Sequence, residues 1–432
     1  MNMADGGEMH EFIAALYPIC RSITGNGVRT TLEQIKRYIP LTVHEVPSGT
    51  RVFDWTVPKE WNITDAYIKN ADGKKIVDFH RCNLHVVNYS VPVKKKLPLA
   101  ELKSHLFTLP AHPQWVPYRT SYYSESWGFC LSHEQFLQLS DGEYEVCIDT
   151  SLEDGSLTYG EYLIRGETSD EVLISCHICH PSLCNDNLSG IAVSTMLAKM
   201  LSQGTHRYSY RFLFVPGTIG AITWLWANEP QVTAIKHGFV LAGVGDRGPL
   251  TYKRSRQGTA EIDRVFAHVL SRSENKFEII EFSPYGYDER QFCSPGFNLP
   301  VGCVMRTPFG HYPEYHTSAD NLSFIHPQAL VDSLTTCLEV CSVLESNRTY
   351  VNLNPKCEPQ LGKRGLYRSV GGTPPPDGVD GLVLLWVLNL SDGKHSLLDI
   401  AERAGCRFTD VNEAVKLLVK HGLLRECRES FV

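Results

Sequence analysis

The chain has 432 residues, 43% hydrophobic and 21% charged, with a net charge of −7 and a pI near 6.2. That length allows roughly two to four domains with ample core, and the acidic balance argues against nucleic acid as the main partner. No apolar run reaches the ~18 residues of a membrane span, so no membrane partner is expected.

The first twenty residues, MNMADGGEMHEFIAALYPIC, carry acids rather than a basic stretch, so no signal peptide is expected. Fourteen cysteines at no framework spacing fit reduced thiols, and the expected location is cytoplasmic. Residues 8–39 read as two helical patterns split by Thr24-Gly25-Asn26-Gly27. From Val43 to about Leu163 the chain turns to short aromatic-rich or alternating runs such as VFDWTVP and LHVVNYSVPV, which read as a β-rich module. Trp55, Trp61, Trp115, Tyr118, Tyr122, Tyr123 and Trp127 are read there mainly as core, with a ligand surface as the alternative.

Beyond it, strands at Val172–Ser175, Tyr210–Val215, Gly238–Val244 and Val301–Met305 alternate with helical patterns, as in a mostly parallel sheet with helices on both faces. The polar clusters fall at or just after strand ends: His177 to Asn187, Asp246, Asp288 to Gln291 and Glu314 to Asp320. Ligand sites of open α/β sheets form along that edge. The first cluster carries His177, Cys179, His180, Cys184 and Asp186, a donor set suited to zinc. No second cysteine pair at finger spacing follows, so a mixed His/Asp catalytic site fits better than a structural ribbon.

The expected domains are an α/β catalytic domain (1–42 and 164–355), a β-rich inserted domain (43–163), a linker (356–376) containing Gly371-Gly372-Thr373-Pro374-Pro375-Pro376, and a winged-helix-like domain (377–432). The last has helices near 380–390, 396–404 and 409–421, the latter two capped by Ser396 and Thr409. Its acids (Asp377, Asp380, Asp392, Asp399, Glu402, Asp410, Glu413, Glu426, Glu429) outnumber its Lys and Arg (Lys394, Arg403, Arg407, Lys416, Lys420, Arg425, Arg428) nine to seven. A packing or protein-contact role is expected in place of DNA binding, with self-association through this domain or the β-rich one.

Residues 171–325 resemble the zinc aminopeptidase superfamily with a co-catalytic metal centre, which also contains glutaminyl cyclases. The phrases CHPSLCNDNLSG, SPYGYDERQFCSPGFNLPVG, PEYHTSADNL and PKCEPQLGKRGLY are closest to a bacterial branch of aminopeptidase-like proteins. That branch has a β-rich insert and a winged-helix tail and is associated with polysaccharide or natural-product clusters. The resemblance implies zinc as cofactor, Asp186 as the carboxylate between metals, Asp246 as a second carboxylate and His316 as the distal histidine. The first histidine stays open: strand register favours His177, the CHPS phrase favours His180, and His180 is preferred with His177 as alternate ligand or its partner.

One departure stands out. The family's Glu-Glu pair after the YRFLFV-type strand, general base and then ligand, aligns here with Gly217 and Thr218. One zinc is the economical expectation, and Glu289, Asp288 and Glu314 are the candidate replacement bases. Three readings compete: a zinc-dependent hydrolase of a small peptide or amide substrate, an acyl-transfer or amide-forming enzyme, and a catalytically impaired metal-binding interaction protein.

Overall fold

The structure, a computed structural model of the chain, describes residues 5–366 and 380–427. They fall into two compact units, one built from the chain up to 263 with 275–337, the other from 264–274 with the chain from 338 on.

An eight-stranded sheet carries the first unit: β1 (Thr42–Pro47), β2 (Ser156–Ile164), β3 (Glu171–His177), β4 (Ser209–Val215), β5 (Ile235–Leu241), β6 (Leu250–Lys253), β7 (Phe277–Ile280) and β8 (Val301–Met305). Their order is β1-β2-β4-β3-β5-β8-β6-β7. The central strands β4, β3, β5 and β8 are parallel. β1 and β2 join antiparallel at one edge, and β6, antiparallel to β8, brings β7 to the other.

Every residue of β3 is buried, as a central strand covered on both faces requires. Helix Gly190–Leu201 packs on β3, β4 and β5. Helix Ile219–Ala227 contributes Ile219, Ile222, Trp224 and Leu225 to a core shared with Leu173, Leu213 and Val240. Because β3, β4, β5 and β8 run the same way, the segments that follow them leave from one edge of the sheet.

The expected β-rich insert of 43–163 is narrower than its sequence suggests. β1 pairs with β2 from Thr42↔Glu161 to Pro47↔Ser156, so both ends of that stretch belong to the main sheet. The insert has a four-stranded antiparallel sheet in the order Lys75–Asp78, Glu60–Lys69, Glu143–Glu153, Val93–Pro98, over its own core of Ile68, Val77, Phe129, Val146 and Ile148. Period-two alternation marks a strand but says nothing of which sheet will pair with it. The short strand β6 was missed for a related reason: its four residues are all buried and show no alternation.

The second unit holds helices Gly381–Leu390, Leu397–Ala404 and Phe408–Lys420 and a three-stranded antiparallel sheet. The middle strand of that sheet is Thr349–Asn352, so it draws on chain well before the expected boundary at 377. Of the expected linker, 367–376, with its glycines and prolines at 371–376, lies outside the described residues, as do Asp377, Arg428 and Glu429. Ser396 caps its helix in a capping box with Asp399. Thr409 does not cap: the last helix begins one residue earlier, at the buried Phe408, with Arg407 in the cap position. Within this unit Arg264 pairs with Asp399 (2.6 Å) and Glu402 (2.5 Å), and Phe408 N donates to His268 Nε2 (3.1 Å).

Arg211 on β4 ties three neighbouring strands together. It pairs with both carboxylate oxygens of Glu171 on β3 (2.6 Å each) and with Glu161 on β2, each side chain at most 13% exposed. Arg211→Met leaves two largely buried carboxylates without their cation. We expect urea denaturation to show a loss of roughly 3–5 kcal/mol.

Candidate metal centre and its cleft

The centre is built around one carboxylate. Asp186 is fully buried in the single distorted turn Cys184–Ser189 that precedes helix Gly190–Leu201. Its backbone is pinned by Asp320, whose Oδ1 accepts from Asn185 N (2.6 Å) and whose Oδ2 accepts from Asp186 N (2.9 Å). Its side chain faces three imidazoles: His177 Nε2 lies 2.9 Å from Oδ1, and His316 Nε2 and His180 Nε2 lie 2.9 Å and 3.9 Å from Oδ2. The ligand atoms of His177, His180 and Asp186 fall within 4.8 Å of one another, as a shared metal ion requires.

Each histidine comes from a different place. His177 ends β3, and Asn187 Nδ2, which also donates to Leu241 O (2.9 Å), donates to its Nδ1 (3.2 Å). His180 follows on the loop, where Arg21 Nε donates to its carbonyl (2.8 Å). His316 is held by the insert: Tyr118 N donates to His316 O (2.8 Å), while Ser318 N donates to Val116 O (2.8 Å). His316 has a left-handed φ of 57° and Thr218 one of 65°, local strain of about 1–3 kcal/mol each that the surrounding contacts must hold.

Burial sets the protonation states. It lowers the affinity of His177 and His180 for a proton, the latter strongly. Burial also disfavours ionised Asp186, but its interactions with His180, His177 and His316 outweigh that and hold its carboxyl well below the usual range. Neutral imidazoles around an ionised carboxylate are the forms that bind a metal.

Asp246 does not join the cluster, although its place after β5 suggested a ligand. Its Oδ1 accepts from Gly248 N (2.6 Å) and Thr307 Oγ1 (2.8 Å), and its Oδ2 from Asn185 Nδ2 (2.9 Å) and Thr307 N (3.2 Å). With both oxygens engaged, it braces the turn that carries Asp186. Glu289, the leading candidate base, is likewise committed: it pairs with Lys253 (2.5 Å), both side chains almost fully buried, and accepts from Tyr287 N (3.0 Å). Glu314 sits on the loop before His316 and, like Asp288, is not itself among the residues lining the cleft.

Asp288 is placed differently. Its Oδ1 accepts from Thr218 N (2.7 Å), at the end of β4 where the base was expected, and its buried Oδ2 has no hydrogen-bond partner. Burial pushes its pKa up to about 7 against the opposing pull of the Thr218 hydrogen bond. The space beside Gly217 is already taken: a Cβ there would meet Tyr287 Oη at 2.2 Å. The Tyr287 ring stacks on His177 (3.5 Å between centroids), and its hydroxyl lies 3.5 Å from His180 Nδ1.

The centre opens into a cleft of about 380 Å³, lined by His180, His316, Cys179, Gly217, Thr218, Tyr287 and Arg290 together with Trp55, Tyr118, Arg119, Thr120, Tyr122 and Tyr123 from the 43–163 stretch. Four of the seven aromatics read mainly as core therefore line the site. The candidate residues read from the sequence did not single out Tyr287, Arg119, Arg290 or Asp320, although Arg290 and Asp320 fall in its polar clusters at strand ends. Adjacency to the Asp288-Glu289 pair was the available signal for Tyr287 and Arg290, and proximity to His316 for Asp320.

Residues 10–347 match the model of a domain of unknown function, DUF4910, and residues 348–426 that of a winged helix-turn-helix. The chain belongs to the DUF4910 family. It is 55% identical over 97% of its length, and 96% of the relative's, to a Clostridium acetobutylicum protein named as a candidate polysaccharide biosynthesis protein with an aminopeptidase-like domain. A crystal structure of a candidate peptidase from Clostridium acetobutylicum superimposes with a TM-score of 0.93 at 54% identity, covering 98% of this chain and 96% of that one. A zinc aminopeptidase from Bacillus subtilis shares the fold, with a TM-score of 0.57 at 12% identity over 79% of this chain and 95% of that one. The winged-helix match begins at 348, in keeping with the strand at Thr349–Asn352.

Gly217→Ala should collide with Tyr287 and cost about 1–3 kcal/mol, as overpacking does. Combined with Tyr287→Ala the cost should vanish, which a double-mutant cycle in thermal or urea unfolding measures.

Proposed function

We propose that this DUF4910 protein is a zinc-dependent hydrolase of a peptide or amide bond, serving polysaccharide or natural-product biosynthesis. The observation that carries the reading is the buried Asp186 facing three imidazoles at the floor of an open cleft. His177, His180, Asp186 and His316 would hold the ion, and a bound zinc supplies Lewis-acid polarisation of a carbonyl and activation of water. The aromatic wall holds the substrate over these residues and limits water to the cleft.

Asp288 takes the proton. Its free Oδ2 and its elevated pKa suit a base working near neutral pH, better than the ion-paired Glu289. Tyr287, stacked on His177, fixes that ring and offers a hydroxyl hydrogen bond in the position a longer residue at 217 would take.

Elemental analysis of the purified chain should find about one zinc, lost in Asp186→Ala; a protein that retains no transition metal after chelator-free purification defeats the reading. Asp288→Asn should keep the zinc and lower turnover about 10²- to 10⁴-fold. Activity should rise with pH through about 7 as Asp288 ionises. Stability moves the other way, because the folded pKa lies above the ordinary 3.8. The contribution is full below about 3.8 and lost as pH rises through about 7, so Asp288→Asn should be the more stable protein at pH 8.

We also propose that the C-terminal domain does not act on nucleic acid. A recognition helix reads DNA through its N-terminal residues. Here the start of helix Phe408–Lys420 is bonded to His268, and Asp410 and Glu413 lie on it. A gel-shift of the full chain should show no salt-dependent micromolar complex.

A further inference from the structure

The cleft is a cationic site in an acidic protein. Of its thirteen lining residues two are arginines, Arg119 and Arg290, and none is an aspartate or glutamate, although the chain carries a net charge of −7. Neither guanidinium makes a hydrogen bond or ion pair with a described residue. Arg119 lies with its guanidinium over the Phe107 ring (4.3 Å to the centroid), which holds the side chain without neutralising it. Arg290 is half-buried and feels the charge of Asp288, one of whose oxygens is committed to Thr218 N.

We propose that the substrate is an oxyanion-bearing molecule, its carboxylate or phosphate received by Arg119 and Arg290 while the scissile bond lies over the histidines. This rests on the hydrolase reading and narrows it. A guanidinium presents a planar fork of donors that matches either anion two atoms at a time, and such charge-assisted bonds are about twice as strong as neutral ones. The same two charges repel an ammonium; the lining itself carries no acid, and the ionised Asp186 at the floor is already met by His177, His180 and His316. The cleft therefore favours an anionic substrate over one with a free amino group beside the scissile bond. Trp55 and Tyr123, packed edge to face with ring centroids 5.2 Å apart and both exposed, add an apolar corner against which a ring or chain can lie.

The test uses the full chain and three small probes: succinate, inorganic phosphate, and succinamide as the neutral counterpart of succinate. Calorimetric titration of zinc-loaded and chelated protein should show at least one of the two anions bound roughly 10- to 100-fold more tightly than succinamide in both states. The double substitution Arg119→Met/Arg290→Met should abolish that preference with zinc content unchanged, and Arg290→Lys should keep part of it. Should the double variant unfold, the two single variants decide, each expected to lose part of the preference. A stronger response to succinate assigns a carboxylate, and to phosphate a phosphate ester. Equal binding of all three probes, or an anion preference that survives the arginine substitutions, overturns the proposal. A protein that retains no zinc would sink the hydrolase reading alone, because the probe preference of the chelated chain is measured independently.

Discussion

The buried Asp186 carboxylate constrains the first unit more than any other single group. An ionised carboxylate out of water is costly unless it is paired and hydrogen-bonded, and this one is met by imidazoles from the end of β3, the loop that follows it and the distant loop at His316. Bringing these together demands a rigid turn at 184–189. The structure supplies it through Asp320, which accepts from the turn's backbone, and through Asp246, which accepts from Asn185. Two conspicuous acids are thus spent on positioning a third.

The insert is part of the same construction. Its segment 116–118 hydrogen-bonds the His316 loop, and Trp55, Tyr122 and Tyr123 form part of the cleft wall. An element that reads in sequence as an appendage therefore holds His316 in place and helps shape the cleft. Removing it would leave His316 on a loop without its backbone partners.

The end of β4 has been rebuilt. Where a general base is expected the chain has glycine, and the reason is steric, since the Tyr287 ring and hydroxyl occupy the volume a side chain would need. A carboxylate returns to the same strand end from another segment, as Asp288 bonded to Thr218 N. Glu289, its neighbour, turns the other way to neutralise Lys253. Two adjacent acids thus take different roles, decided by which cation or amide each one faces.

Much of this was legible in the residues. The buried run of β3, the turn-rich loop after it and the apolar periodicity of helix Gly190–Leu201 announced strand, loop and helix, and ligand-type residues at strand ends marked the edge where a site forms. Local pattern determines such things because burial periodicity and turn chemistry act over a few residues. Pairing does not. That β1 and β2 leave the insert for the main sheet, that Thr349–Asn352 belongs with the winged helix, that Asp246 is braced by Thr307 while Asp288 keeps a free oxygen, and that Arg119 and Arg290 line one cleft all depend on contacts between residues far apart in the chain. The sequence by itself determined which groups could bind a metal or move a proton; only the tertiary structure decided which of them are free to do so, because a buried polar atom's role is set by the partner that reaches it first.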